Sequence, residues 1–184
     1  MFRMVIAEGR SLTRQRNEIE RQAKLALDDN ADYHCLLQIP GIGPIHAMTV
    51  LAEAGDLRRF RHHRQFLKFC GLDLATYQSG QFRGQTKLSK FGNARLRRTF
   101  WMAAQVAIRQ RDNSFRSKFE RYIARDRNNA GLRRKALTAV TAKMARTAHA
   151  LIKTGSNYRP FVEEPMLSGR TSIRTGREGA SATL

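Results

Sequence analysis

A serine set among glycines and cations is the arrangement in this chain from which bond-breaking chemistry could be built. The run YQSGQFRGQTKLSKFGNARLRR, residues 77–98, places Ser79 beside Gly80, with Arg83, Lys87, Lys90, Arg95, Arg97 and Arg98 after it and no Asp or Glu. A hydroxyl breaks a phosphodiester only if it is exposed, if charge on the non-bridging oxygens is stabilised, and if proton transfer is assisted. Gly80 and Gly84 let a phosphate approach the backbone closely, and Arg83, Lys87, Lys90, Arg95 and Arg97 are cations for its oxygens. The third need is unmet. Metal-dependent strand cleavage uses several convergent carboxylates, and none lies between Asp73 and Asp112. Residue chemistry alone leaves Ser79 as a turn residue, a phosphate ligand or a nucleophile, the first two being the commoner outcomes. Ser89, just before Lys90, is a weaker candidate of the same kind.

The charge balance names the class of partner. Lys and Arg total 34 against 15 Asp and Glu, a formal net charge of +19 in 184 residues, far beyond what solubility requires and suited to a polyanion, with nucleic acid the leading choice. No apolar run approaches a spanning helix, and MFRMVIAEGR lacks the apolar core of a secretory signal. The expectation is a cytoplasmic protein with no membrane partner. Cys35 and Cys70 stand apart, with only scattered His34, His62 and His63 near them. Buried neutral thiols are expected, with no disulfide, no metal site and no cofactor in this chain.

The elements that carry these residues are expected to be helices throughout, making the fold class all-α. Residues 2 to about 31 read as one helix, because Val5, Leu12, Ile19 and Ala26 recur every seven positions. Gly9 and Arg16 interrupt the second seam, so a weak coiled coil and an ordinary docking helix are both open. From Leu36 the stretch LLQIPGIGPIHAMTVLAEAGDLRRF reads as helix, glycine-punctuated turn, helix. Gly41 and Gly43 permit unusual backbone angles, and Pro44 suits a first helical turn. This is the pattern of a helix-hairpin-helix, whose exposed N–H groups suit a phosphate oxygen. A helix with Phe60, Phe66, Leu67 and Cys70 on one repeat follows, ended by Gly71. Asn93 can cap a helix with Leu96, Phe100, Ala103 and Ala107 inward, and Trp101 on it reads as core rather than a stacking platform. Further helices are expected at about 113–125 and 129–153, the last with Leu137, Val140, Met144 and Leu151 inward and Arg133, Arg134, Lys135, Lys143 and Arg146 as a basic face. After Pro165 the Gly, Ser and Thr content predicts a disordered tail.

The ordered set LLQIPGIGPIHAMTVLAEAGDLRRF, FLKFCGL, YQSGQFRG, KLSKFGNARLRR and WMAAQVA resembles the C-terminal transposase domain of the insertion sequence 110/116/902 family. The resemblance runs from about Leu36 to Ala107, and KALTAVTAKMARTAHALIKTGSNYRP resembles the helical extension that follows. It implies a division into a linking helix (1–34), a transposase C-terminal domain with the helix-hairpin-helix and Ser-Gly loop (35–111), a helical extension (112–162) and a disordered tail (163–184). In that family an N-terminal RNase H-like domain with four acidic residues binds divalent metal, and the serine of the Ser-Gly motif, here Ser79 with Gly80, becomes joined to DNA. Gly41, Gly43, Gly80, Arg83, Lys87, Lys90, Arg95, Arg97 and Arg98 become the expected nucleic-acid contacts. The implied partners are DNA, a structured guide RNA, and either a second copy or an N-terminal transposase half. Mg2+ is expected only with the RNase H-like domain, so the chain is expected to bind nucleic acid but not to recombine DNA unaided. The alternative is a non-catalytic helix-hairpin-helix protein that binds DNA or RNA.

Overall fold

Asparagines set several of the breaks between helices. The computed structural model describes residues 1–79 and 82–160, with the side chains of 76–85 excepted. Helix α1 spans Phe2–Leu27. Asn30, extended, accepts the Tyr33 amide at 2.9 Å and starts α2, Ala31–Leu37. Asn93 does the same for α5, Ala94–Ala107, through the Leu96 amide. Asn113 caps α6, Ser114–Ile123, and Asn129 caps α7, Ala130–Thr154. Each such cap satisfies an otherwise orphaned first-turn donor and stabilises by about 1 kcal/mol. Between them lie α3, Pro44–Ala54, with the expected proline in its first turn, a 3-10 turn at Leu57–Arg59, and α4, His63–Phe69.

Two sequence expectations are revised here. The single helix over 2–31 is divided, because Asn30 satisfies a new first turn better than it continues the old one. In the new first turn Asp32 receives Arg58 through two hydrogen bonds of 2.7 and 2.8 Å, tying α2 to the 3-10 turn. The larger revision concerns the Ser-Gly stretch, expected as a loop in an all-α chain. It is an antiparallel hairpin of β1, Leu74–Ser79, and β2, Phe82–Leu88. Thr76, Tyr77, Phe82 and Thr86 are β-branched or aromatic residues that fit a pleated ribbon. The chain remains mostly helical.

The core is built around α7, which packs on α2, α4, α5, α6 and the 3-10 turn. Phe66 meets Phe100 edge-on at 6.0 Å, and the buried His149 ring stacks on Phe66, its Nε2 2.9 Å from the Phe60 carbonyl. Ala103, Ala104, Ala107, Ala136, Ala145 and Ala148 are fully buried, and their small side chains let α5 and α7 approach closely. Residues of the expected 35–111 and 112–162 segments thus share one hydrophobic core. By contrast α1 buries no residue. It touches α3, where Leu12 and Ile19 line a shallow groove with Ile45 and Met48, while Val5, Leu12 and Ile19 stay largely exposed. Among the described residues no helix is long and apolar enough to cross a membrane. The tail expected over 163–184 lies outside the described residues.

Candidate nucleic-acid interface

The hairpin is anchored where α4 ends and α5 begins. The Asn93 amide donates to the Phe69 carbonyl at 2.7 Å, and the Ser89 amide to the Asp73 carbonyl at 2.8 Å, so both stems of the ribbon are tied to the last turn of α4 and to each other. Gly92 makes this approach possible. Its φ is +140°, and a Cβ there would stand 2.5 Å from the Phe69 carbonyl oxygen and 2.7 Å from the Gly71 nitrogen; only glycine fits. Lys90, two residues earlier, adopts a left-handed φ of 56°, uncommon for a side chain of its size.

From this root the strands run outward. The register pairs Leu74 with Leu88, Ala75 with Lys87, Thr76 with Thr86, Gln78 with Arg83 and Ser79 with Phe82, with a bulge between Thr76 and Gln78. Five steps of strand place Ser79 roughly 17 Å from Leu74, at the far end of the ribbon. Gly80 lies outside the described residues, and Arg83 is located by its backbone pairing alone. A bulge adds local twist and recurs beside functional sites.

The expected cations divide by what they touch. Lys87, Lys90 and Arg98 are exposed. Arg95 is exposed too, and its guanidinium reaches Glu53 of α3 at 3.0 Å. Glu53 also accepts the Asn93 side-chain amide at 2.7 Å, and these two donors, Asn93 first, hold its carboxyl below the usual range. Nothing local in the sequence marks Glu53 as the tie between α3 and the cap of α5. Arg97 turns the other way. Its Nη1 donates to the Lys90 carbonyl at 3.1 Å and lies 3.4 Å from that of Cys70, so it braces the hairpin root. Ser89 Oγ is enclosed there without a hydrogen-bond partner among the described residues, a poor setting for an attacking hydroxyl. Beneath, burial pushes the Cys70 thiol up to about 12; Cys35 is half-buried and also free.

The turn between α2 and α3 uses its two glycines differently. The Ile42 amide donates to the Ile39 carbonyl at 3.0 Å across Pro40 and Gly41, and Gly41 has φ +89°, the conformation of a type II turn. A Cβ on Gly41 would stand 2.2 Å from the Ala103 carbonyl oxygen and 2.8 Å from the Ala107 nitrogen. Gly41 is thus a packing contact with α5. Gly43, the N-cap of α3, has open space beside it. His46 stands over that turn, Nδ1 3.5 Å from the Gly43 amide, and burial holds its basicity below the usual histidine value.

On the far side, Arg133, Arg134 and Lys135 are exposed as expected, but Lys143 is not an open basic contact. It is half-buried, donates to the Ser114 carbonyl at 2.9 Å and lies over the Phe115 ring, because its stem packs between α6 and α7. Trp101 is half-buried. Among the described residues no three His, Cys, Asp or Glu side chains converge as a metal-binding group.

Residues 33–120 match the family model for the transposase IS116/IS110/IS902 family. The chain is 35% identical over 147 residues to a probable family 20 transposase of Pseudomonas aeruginosa, an overlap of 77% of this chain and 41% of that protein. It is 29% identical over 142 residues to the transposase for insertion sequence element IS1111A of Coxiella burnetii, covering 77% and 38%. To the transposase for insertion sequence element IS1328 of Yersinia enterocolitica it is 34% identical over 99 residues, covering 54% and 30%. The chain spans less than half the length of these relatives. The stretch that matches this family model is the one that holds the helix pair, the hairpin and the α5 cations.

Proposed function

We propose that this chain is the DNA-binding C-terminal part of an insertion-sequence transposase, in which Ser79 is the nucleophile that joins DNA during recombination. The observation that carries the proposal is the hairpin: an acid-free ribbon on a braced root, with Ser79 at its outer end and Lys87, Lys90 and Arg98 exposed on the ribbon, at its root and on α5. In the reaction the Ser79 hydroxyl oxygen bonds to the scissile phosphorus and gives up its proton, while the phosphorus–sugar oxygen bond breaks and the departing sugar oxygen takes a proton. The phosphoserine ester retains the bond energy, and a DNA hydroxyl later reverses the attack. The nearby cations meet the charge on the non-bridging oxygens.

The stretch around Ser79 does not fit a divalent-metal site, since no carboxylate lies between Asp73 and Asp112, and among the described residues no three His, Cys, Asp or Glu side chains converge as one. Mg2+ belongs in this proposal to the four acidic residues of an RNase H-like unit outside residues 1–184. DNA, a structured guide RNA, and a second copy or that partner unit are the proposed partners. The unit α2–turn–α3 acts as a helix-hairpin-helix, with the first-turn amides of α3 beside Gly43 as the phosphate contact and Gly41 as its packing anchor.

The test supplies an RNase H-like transposase half in trans with guide RNA, donor and target DNA and Mg2+, and looks for a covalent protein–DNA adduct on a denaturing gel. Ser79→Ala is expected to abolish the adduct while leaving DNA binding within about twofold, since a neutral hydroxyl adds little to a charge-driven affinity. An adduct that persists in Ser79→Ala, or recombination by the chain with RNA and Mg2+ alone, would sink the proposal.

A further inference from the structure

A second basic feature, formed by residues outside the hairpin, lies between α6 and α7. It is an open cleft of about 620 Å³ lined by Lys118, Arg121, Tyr122, Arg125, Leu132 and Lys135. From Ser114 to Thr154 the only carboxylates are Glu120 and Asp126. Glu120 is occupied by Arg116 at 2.7 Å, and Asp126 accepts the Asn128 amide at 3.2 Å. The cleft therefore gathers four cations with no acid in its lining.

Lys118 is the telling residue. It is half-buried and has no hydrogen-bond or ion-pair partner among the described residues. Burial first, then the positive charges of Arg146 and Arg121, makes its ammonium easier to deprotonate than an ordinary lysine. A cation held among like charges at a partly dry site is unfavourable until an anion joins it. Beside it Tyr122 is 46% exposed, and with the half-buried Leu132 it offers a flat apolar wall. Small-molecule pockets are mostly apolar with a few polar groups; a cleft of cations around one aromatic ring suits a strand whose phosphates meet the charges and whose base lies on the ring.

We propose that the α6–α7 cleft is a binding site for single-stranded nucleic acid, with Lys118 and Lys135 on its phosphates and Tyr122 stacked on a base. The proposal rests on the reading that this chain handles nucleic acid, but it involves neither Ser79 nor the hairpin. A segment that is unpaired, whether a loop of an RNA or a displaced DNA strand, is the form that exposes a base face to Tyr122.

The experiment is carried out on the full chain carrying Ser79→Ala, so that no covalent step contributes. Fluorescence anisotropy is measured with a labelled single-stranded dT oligomer and, separately, with a duplex of the same length, across a salt series. Tyr122→Leu is expected to weaken the single strand by about tenfold or more and the duplex by less than twofold, with Tyr122→Phe restoring affinity. Lys118→Met is expected to leave thermal stability equal or higher, because like-charge crowding is relieved, and to lower the single-strand salt slope by about 0.7, the contribution of one phosphate. Equal single-strand affinity in Tyr122→Leu and the parent overturns the proposal, as does an equal loss for duplex and single strand. Because these readouts are binding alone, adduct formation by Ser79 can fail while the cleft still binds, and the reverse.

Discussion

Replacing Gly41 with alanine separates a packing role from a ligand role at the PGIG turn. The new Cβ would stand 2.2 Å from the Ala103 carbonyl oxygen, 2.8 Å from the Ala107 nitrogen and 2.9 Å from the Ala107 Cβ, all fixed by helix α5. Relief requires the turn to retreat by about 1 Å from α5, which forfeits a quarter to a half of each dispersion well it leaves. Ile39 and Ile42, both buried, move with it. Overpacking of this kind costs about 1–3 kcal/mol, and a non-glycine residue at φ +89° adds about 1–2 kcal/mol. The sum is about 2–5 kcal/mol, or a fall in Tm of roughly 4–20 °C for a chain of this size. Gly43→Ala is the control: its Cβ has open space, its φ is −99°, and the loss at an N-cap glycine is expected to be below about 1 kcal/mol. Thermal unfolding by circular dichroism and duplex binding by anisotropy are measured on both. If Gly41→Ala melts with the parent while its DNA binding is lost, the assignment of Gly41 to packing is wrong.

Three further outcomes follow from named contacts. With its thiol pushed up to about 12 by burial, Cys70 should resist a disulfide reagent at neutral pH and react only after urea, so the native protein titrates at most one fast thiol. Glu53 is held below its usual range by Asn93 and Arg95. Its contribution is complete above the unfolded carboxylate value and is lost as pH falls through the folded one. Urea midpoints of Glu53→Gln should therefore fall less steeply than the parent's between about pH 5 and pH 3, and parallel curves would count against the bridge. Lys143→Met leaves the Ser114 carbonyl without its charged donor and should destabilise by about 1–3 kcal/mol, read as a lower urea midpoint; an unchanged midpoint would return Lys143 to the basic surface.

Much of this architecture was legible because its causes are local. Asn93 before an apolar helical repeat and Pro44 after a glycine pair are signals acting within a few residues, and the helices begin where they stand. The hairpin was missed although Thr76, Tyr77, Phe82 and Thr86 favour strands. The glycines and cations around Ser79 also suit a loop, and a two-stranded ribbon needs a root to hold it. That root comes from Phe69, Gly71 and Gly92. The cleft between α6 and α7 was legible only as excess charge on one long helix.

Charge, the acid-free window around Ser79 and the helix starts were thus determined by the sequence alone, since each depends on residue type and near neighbours. Which cations stay free was decided by the tertiary structure. Arg97 and Lys143 look no different from Arg98 and Lys135 in sequence, yet packing brings a carbonyl to each of the first two, and the glycine that looked like a phosphate cradle lies against α5. Such assignments depend on contacts between residues far apart in the chain, and residue types within a short window do not specify them.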